Sequence, residues 1–353
     1  MAVLEIETED EIYEVGFGQI QIEITGRCNM KCQHCRADNQ PRQDMPVKQI
    51  AKIVRFARQS SESFREVVIS GGEPLLHKEL PRVLSCIREN GCEHATLTTN
   101  GALLTRQHLQ LIEELHFRSF CLSVSIDSVN PKEHDAFRRH EGAFAKADAA
   151  LRLVLGSRIP RLVTSMRSTI LPSKIDLVEQ IVRYAREVGC TQIGFSGVQP
   201  AGRATDRKDF LMSRKERILF LKKIHELSAR YPDMKIGTND PLKCLMCPQE
   251  TTEGDDLVFD GCGAAATTFN VNADGVMTPC AMLDVPMMNV FPLSIEEMTA
   301  SYQESSIVRD MITRNFKGKC GTCARKYQCG GCRVRALSSS GDFLETDPDC
   351  WIG

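Results

Sequence analysis

The feature that most constrains this chain is a sixfold alternation of strand and helix patterns between residues 20 and 230. Apolar, β-branched runs of strand length stand at 20–24, 67–70, 95–99, 120–126, 163–170 and 192–195. Stretches with helical spacing separate them, among them 47–58 (Val47, Ile50, Val54), 105–115 and 174–188 (Ile175, Val178, Ile181, Val182), and a further helix is expected over 213–230. Strands that alternate with helices predict a parallel sheet with helices outside, hence an α/β fold. The pattern alone leaves open a doubly wound sheet or a partial or complete βα barrel. It breaks at Pro232 and Pro241, and the remainder is rich in Cys, Gly, Met and Asp. A boundary is expected near residue 238, dividing the chain into an N-terminal segment (1–17), an alternating domain (18–238) and a tail domain (239–353). The tail is too poor in long apolar segments to hold itself together by burial alone, so bound metal is the expected staple.

Composition narrows the function. The 44 basic and 46 acidic residues of the 353 leave a net charge of −2, which gives no electrostatic case for nucleic acid or an anionic membrane. No apolar run approaches the roughly 18 residues of a membrane span. The acidic start (Glu5, Glu7, Glu9, Asp10, Glu11) is unlike a signal peptide, so a cytosolic location is expected. Against this ordinary background stand 16 cysteines, nine of them between Cys244 and Cys350. Such a count in a chain of this size without a signal points to metal rather than disulfides.

Cys28, Cys32 and Cys35 sit in Arg27-Cys28-Asn29-Met30-Lys31-Cys32-Gln33-His34-Cys35, on the loop after the first strand. Three thiols so spaced can converge on one centre. A tetrahedral zinc site needs a fourth ligand, with His34 nearest, whereas a four-iron cubane can be held by three thiolates with one iron open. This CxxxCxxC loop resembles the signature of the radical S-adenosylmethionine (radical SAM) superfamily, and four further segments resemble that family in order. They are Ser70-Gly71-Gly72-Glu73-Pro74, Thr98-Thr99-Asn100-Gly101, Ser123-Val124-Ser125-Ile126-Asp127 and His134-Asp135-Ala136-Phe137-Arg138. The resemblance covers about 18–235. It implies a partial (β/α)6 TIM-like barrel whose [4Fe–4S] cluster reductively cleaves SAM to a 5′-deoxyadenosyl radical, which abstracts a substrate hydrogen. It also implies a SAM site made from Gly72, Glu73 (to the amino group), Thr99, Asn100, Ser125, Asp127 and Arg138 (to the carboxylate), with His34 expected to contact adenine through its backbone.

The tail carries Cys262, then Gly275 and Cys280, then Cys320-x2-Cys323-x5-Cys329-x2-Cys332, and finally Cys350. This resembles the cysteine-rich SPASM extension of radical SAM enzymes, although the family often has three residues where two separate Cys329 from Cys332. The resemblance implies two auxiliary [4Fe–4S] clusters, hence three in all. Cys320, Cys323, Cys329 and Cys350 would serve the outer one, and Cys262, Cys280 and Cys332 the inner one. Cys247, ahead of Cys244 as a candidate, would be the inner cluster's fourth ligand. Asn272-Ala273-Asp274-Gly275 reads as a hairpin turn that would bring Cys262 and Cys280 together. A zinc ribbon from Cys320, Cys323, Cys329 and Cys332 is the competing reading, and Cys86, Cys92, Cys121 and Cys190 read as small buried hydrophobes.

The resemblance implies an enzyme that modifies a ribosomally made peptide, by crosslinking or epimerisation, with a low-potential donor such as flavodoxin or ferredoxin. The alternative is a small-molecule substrate such as a tetrapyrrole side chain to be oxidatively decarboxylated. His34-Cys35-Arg36-Ala37, Gln199-Pro200-Ala201-Gly202-Arg203-Ala204 and Cys329-Gly-Gly-Cys332-Arg333 also resemble haem-pathway members. A non-catalytic zinc-binding module is the third reading.

Overall fold

The structure is a computed structural model that describes residues 4–8, 11–38, 40–246 and 261–352. An N-terminal hairpin pairs β1 (Glu5–Glu7) with β2 (Ile12–Glu14). Six strands then pair in parallel and in chain order: β3 (Gln19–Thr25), β4 (Glu66–Gly71), β5 (His94–Thr99), β6 (Ser119–Ser125), β7 (Leu162–Ile170) and β8 (Gln192–Gly197). These are the six predicted runs. A further parallel strand, β9 (Lys235–Thr238), escapes the pattern because Ile236 is its one large apolar residue. The sheet stays open, with β9 at one edge and tail strands added outside β3.

Helices cover the outer face: α1 (Val47–Ser60), α2 (Leu80–Glu89), α3 (Arg106–Glu114), α4 (Pro131–Arg138), α5 (Ala143–Ser157), α6 (Val178–Val188) and α7 (Arg214–Arg230). Strand alternation sorts the two faces. Ile20, Ile22 and Ile24 of β3 join Ile50, Ile53 and Phe56 of α1 in one core, which leaves Gln21, Glu23 and Thr25 facing inward. The inner face is polar. Gln21 Nε2 donates to Ser70 Oγ at 2.7 Å, and Gln192 Nε2 reaches Cys121 Sγ at 3.1 Å. Cys121 therefore lines the inner face, half-buried, and is not the buried hydrophobe expected, whereas Cys86, Cys92 and Cys190 are buried.

In the tail, β10 (Asn270–Val271) and β11 (Val276–Thr278) form the predicted hairpin, with Gly275 at φ +89°, followed by β12 (Met288–Asn289). Because β10 also pairs in parallel with β3, through Asn270 and Gln21, the sheet runs across the boundary expected at 238. Helices α8 (Ile295–Gln303), α9 (Ser306–Ile312), α10 (Gly318–Thr322) and α11 (Arg333–Ser340) complete it. Burial holds the tail far more than its pattern suggests. Phe269 and Tyr302 pack edge-on against Phe17 at 4.9 and 5.4 Å, and Ala264, Ala265, Met277, Met298 and Met311 share that core. Each large side chain so buried is worth about 1.5–3 kcal/mol. The sequence pattern did not reveal this shared core because these apolar residues are scattered in short pieces rather than one run. Lys52 of α1 adds a clamp, donating to the carbonyls of Val290 (2.7 Å), Phe291 (3.0 Å) and Leu293 (2.7 Å). Among the described residues no helix is long and apolar enough to cross a membrane.

Candidate cluster and cofactor site

The loop after β3 carries Cys28, Cys32 and Cys35 at the C-terminal edge of the sheet. Its entry is fixed by backbone contact. Gly72 N donates to Thr25 O at 2.7 Å and Glu73 N to Arg27 O at 2.8 Å, and a Cβ at Gly71 or Gly72 would collide with the Thr25 or Arg27 carbonyl. The paired glycines thus seat the cysteine loop. Arg27 adds a fork to Asp44 at 2.6–3.0 Å. Burial raises the Cys28 thiol to about 11 and also raises Cys35, with Cys32 repelling both as thiolate. A bound metal reverses that balance by binding the thiolate.

The other predicted residues form a connected support around this loop. Glu73 is buried and accepts Thr99 Oγ1 (2.7 Å), Asn100 N (2.8 Å) and Leu75 N (3.2 Å), while its burial raises its pKa. Asn100 Nδ2 in turn donates to Asn29 Oδ1 inside the cysteine loop at 2.8 Å. Asp127 takes Arg138 Nε at 2.6 Å and Thr169 N at 2.9 Å; against the cost of burial, Arg138 holds its carboxyl down at about 2. Arg138 Nη1 then points to Cys32 Sγ at 3.9 Å. Ser125 closes β6 beside them, buried. His34 stacks on Phe137 with centroids 4.3 Å apart and planes 17° from parallel, and burial keeps it neutral, with a pKa of about 3. Its Nδ1 is buried without a partner among the described residues. An unsatisfied ring nitrogen beside a flat stack is the kind of position an adenine edge would satisfy, so these residues fit SAM.

Sequence reasoning missed two contributors. Arg203, known only from its resembling segment, clamps the loop from the far side: its N donates to Cys35 O at 2.9 Å and its Nη1 to Cys32 O at 3.0 Å. Arg167 lies mid-strand on the inner face of β7, where strand parity alone could have found it. It is exposed to the interior and donates to Ser196 Oγ at 3.3 Å, and its cross-strand neighbour is Gly194, itself paired with Gly237.

Seven tail cysteines fall into two groups. Cys320, Cys323, Cys329 and Cys350 line one opening. The half-buried Cys280 thiol is pushed up to about 12, first by desolvation and then by Cys262 and Cys332 beside it. Main-chain bonds from Gly261 to Gln328 (2.7 Å) and from Cys262 to Cys329 (2.8 Å) hold the groups side by side. Among the described residues no three His, Cys, Asp or Glu side chains are set to hold a single metal ion. Four sulfurs around an opening suit a larger body better than a zinc ion. Cys244 lies against Cys329, and Cys247 falls outside the described residues.

The sequence pattern of the Radical SAM superfamily matches residues 22–176. The chain is a radical SAM enzyme. The radical SAM chain is 26% identical to the AdoMet-dependent heme synthase of Methanosarcina barkeri, over 93% of this chain and 94% of that one. It is 24% identical to the subtilosin biosynthesis protein AlbA of Bacillus subtilis, over 90% of this chain and 67% of AlbA. Its fold matches that of Streptococcus suis SuiB bound to its precursor peptide SuiA, with a TM-score of 0.78 over 96% of this chain and 77% of SuiB, at 15% identity. SAM and one [4Fe–4S] cluster come with the family, and the cysteine-rich tail is of SPASM type.

Proposed function

We propose that this radical SAM enzyme abstracts hydrogen from a carboxylate-bearing small molecule, a tetrapyrrole side chain being the leading case. The observation that carries this reading is Arg167. Glu23 pairs with Arg36, and Asp127 with Arg138, so these two inner-face carboxylates near the cysteine loop have their cations. Arg167, open to the interior, makes no ion pair among the described residues, and Arg36 and Arg138 lie near enough to repel its charge. Beside it, the space above Gly194 and Gly237 is clear for 4 Å around a would-be Cβ. A guanidinium facing vacant space invites a planar anion, which it can bind through two parallel hydrogen bonds. The near full-length likeness to a heme synthase supports the same choice over the peptide reading, which the SuiB fold leaves as the second candidate.

In this reading Cys28, Cys32 and Cys35 hold the SAM-cleaving cluster. Bound together, cluster and SAM would supply one-electron cleavage of the sulfonium and removal of a hydrogen atom from the substrate. The chain's own part is to hold His34 neutral, to brace the cysteine loop through Arg138, Arg203 and Asn100, and to orient the substrate's carboxylate on Arg167. Two auxiliary [4Fe–4S] clusters occupy the tail, for about twelve irons per chain, and a low-potential carrier of flavodoxin or ferredoxin type supplies electrons.

The test is anaerobic turnover of the reconstituted enzyme with SAM and dithionite. An iron porphyrin bearing propionates should stimulate 5′-deoxyadenosine release and lose mass, and Arg167→Gln should raise KM for it at least tenfold while SAM binding is retained. Stimulation by peptides alone would reverse the choice.

A further inference from the structure

Arg333 follows Cys332 and begins α11. Its side chain is buried, at 1% exposure, yet no carboxylate lies within ion-pair distance among the described residues. Instead Nη1 donates to the carbonyls of Phe343 (3.0 Å) and Glu345 (2.8 Å), and the guanidinium lies 4.3 Å over the Phe316 ring. Nη2 points to Cys320 Sγ at 3.6 Å, and Nε is buried with no partner among the described residues. Arg335, two residues on, is different: Asp240 and Asp347 neutralise it.

A buried guanidinium without an anion is costly by several kcal/mol. The fold nevertheless fixes this one on three sides, so the compensating charge has to come from the sulfur side. We propose that Arg333 is the resident counter-charge of the outer auxiliary cluster and sets its reduction potential. The inference rests on the reading that Cys320, Cys323, Cys329 and Cys350 hold that cluster. A four-iron cluster on four thiolates is anionic and gains one more negative charge when it accepts an electron. A fixed cation touching one ligand sulfur therefore favours the reduced form and raises the potential. Because the carbonyls of Phe343 and Glu345 and the face of Phe316 hold the guanidinium in place, it does not have to reorganise as the cluster changes charge. Its place between Cys332 of one group and Cys320 of the other puts this charge at the boundary of the two sites.

The test uses the full chain, reconstituted anaerobically, with iron counted and cluster midpoints read by potentiometric titration followed by electron paramagnetic resonance. Arg333→Gln should move one auxiliary midpoint to lower potential and leave the SAM-cleaving cluster unmoved. Arg333→Lys, which keeps the charge, should stay nearer the parent, and Lys317→Gln, which removes an exposed charge paired with Asp342, should change nothing. If Arg333→Gln instead loses about four irons that Arg333→Lys retains, the same need for charge is shown by occupancy. Unmoved midpoints in a fully loaded Arg333→Gln protein overturn the proposal, as does equal loss of iron in both variants. A parent chain that binds only about four irons sinks the auxiliary-cluster reading itself, before any variant is made.

Discussion

Asp347 Oδ2 accepts the backbone N–H of Cys332 at 2.7 Å, so a buried carboxylate anchors a cysteine of the tail directly. The same carboxylate takes Arg335 Nε and Nη2 at 2.9 and 2.6 Å, and Arg335 passes on to Asp240. Asp240 in turn binds Arg217 of α7 at 2.6 Å, and Arg217 reaches Asp349 at 2.7 Å, next to Cys350. This network joins the barrel's last helix to both cysteine groups.

Removing Asp347 leaves Arg335 buried with half its partners, a change that typically costs about 3–5 kcal/mol. Asp347→Ala should lower the urea midpoint of the metal-free chain and reduce the iron retained by the tail, whereas Asp347→Asn, which keeps one acceptor, should do less. An unchanged midpoint in Asp347→Ala would show that the network adds no net stability.

Gly202 is held at φ +55°, and a methyl group there would run into Cys35 O and the Arg36 backbone. The left-handed φ alone costs a non-glycine residue about 1–2 kcal/mol. Gly202→Ala should therefore push the Arg203 clamp off the cysteine loop. The expected outcome is a fall of at least tenfold in 5′-deoxyadenosine formation with tail iron retained. Wild-type SAM cleavage in that variant would mean that the clamp is dispensable.

The strand order was legible because six apolar runs of the right length alternate with helical patterns, and a parallel sheet needs little else. β9 was not, since Lys235-Ile236-Gly237-Thr238 buries one large side chain. The extension of the sheet into the tail was equally hidden: β10 is two residues long, and nothing local in Asn270-Val271 says that its partner is β3. At the site, cysteine spacing marked the loop and the tail groups directly. Arg203 and Arg333 were invisible as functional groups because their meaning is positional, and Arg167 was legible only through strand parity. An arginine in a strand reads as surface until parity and the missing carboxylate place it inside.

His134 makes the fold pH-dependent. Its Nδ1 accepts Asp127 N at 3.1 Å, and burial lowers its pKa to about 4. In the unfolded chain a histidine titrates near 6.5, so between about 6.5 and 4 the unfolded state holds a proton that the folded state rejects. Stability should be complete above that window and decline as pH falls through it, by up to about 1.4 kcal/mol per unit. Urea midpoints at pH 7.5 and 5 should differ less in His134→Gln, whose amide oxygen can still accept the Asp127 N–H. Equal pH sensitivity in both proteins would assign the acid loss to other groups.

Cys244 belongs spatially with the outer cysteines rather than the inner ones. Its Sγ donates to Pro241 O at 3.2 Å, and its proximity raises the Cys329 thiol, before burial adds to the effect. Cys320, Cys323, Cys329 and Cys350 already surround the outer opening, so a fifth thiol there has no coordination position to fill. The inner group of Cys262, Cys280 and Cys332 is the one short of a ligand. Cys244→Ala should therefore keep the full iron content and leave the Mössbauer spectra of the auxiliary clusters unchanged. Loss of about four irons in that variant would instead make Cys244 a ligand, and would mean that the loop from Pro241 swings away from Cys329 when the inner cluster binds.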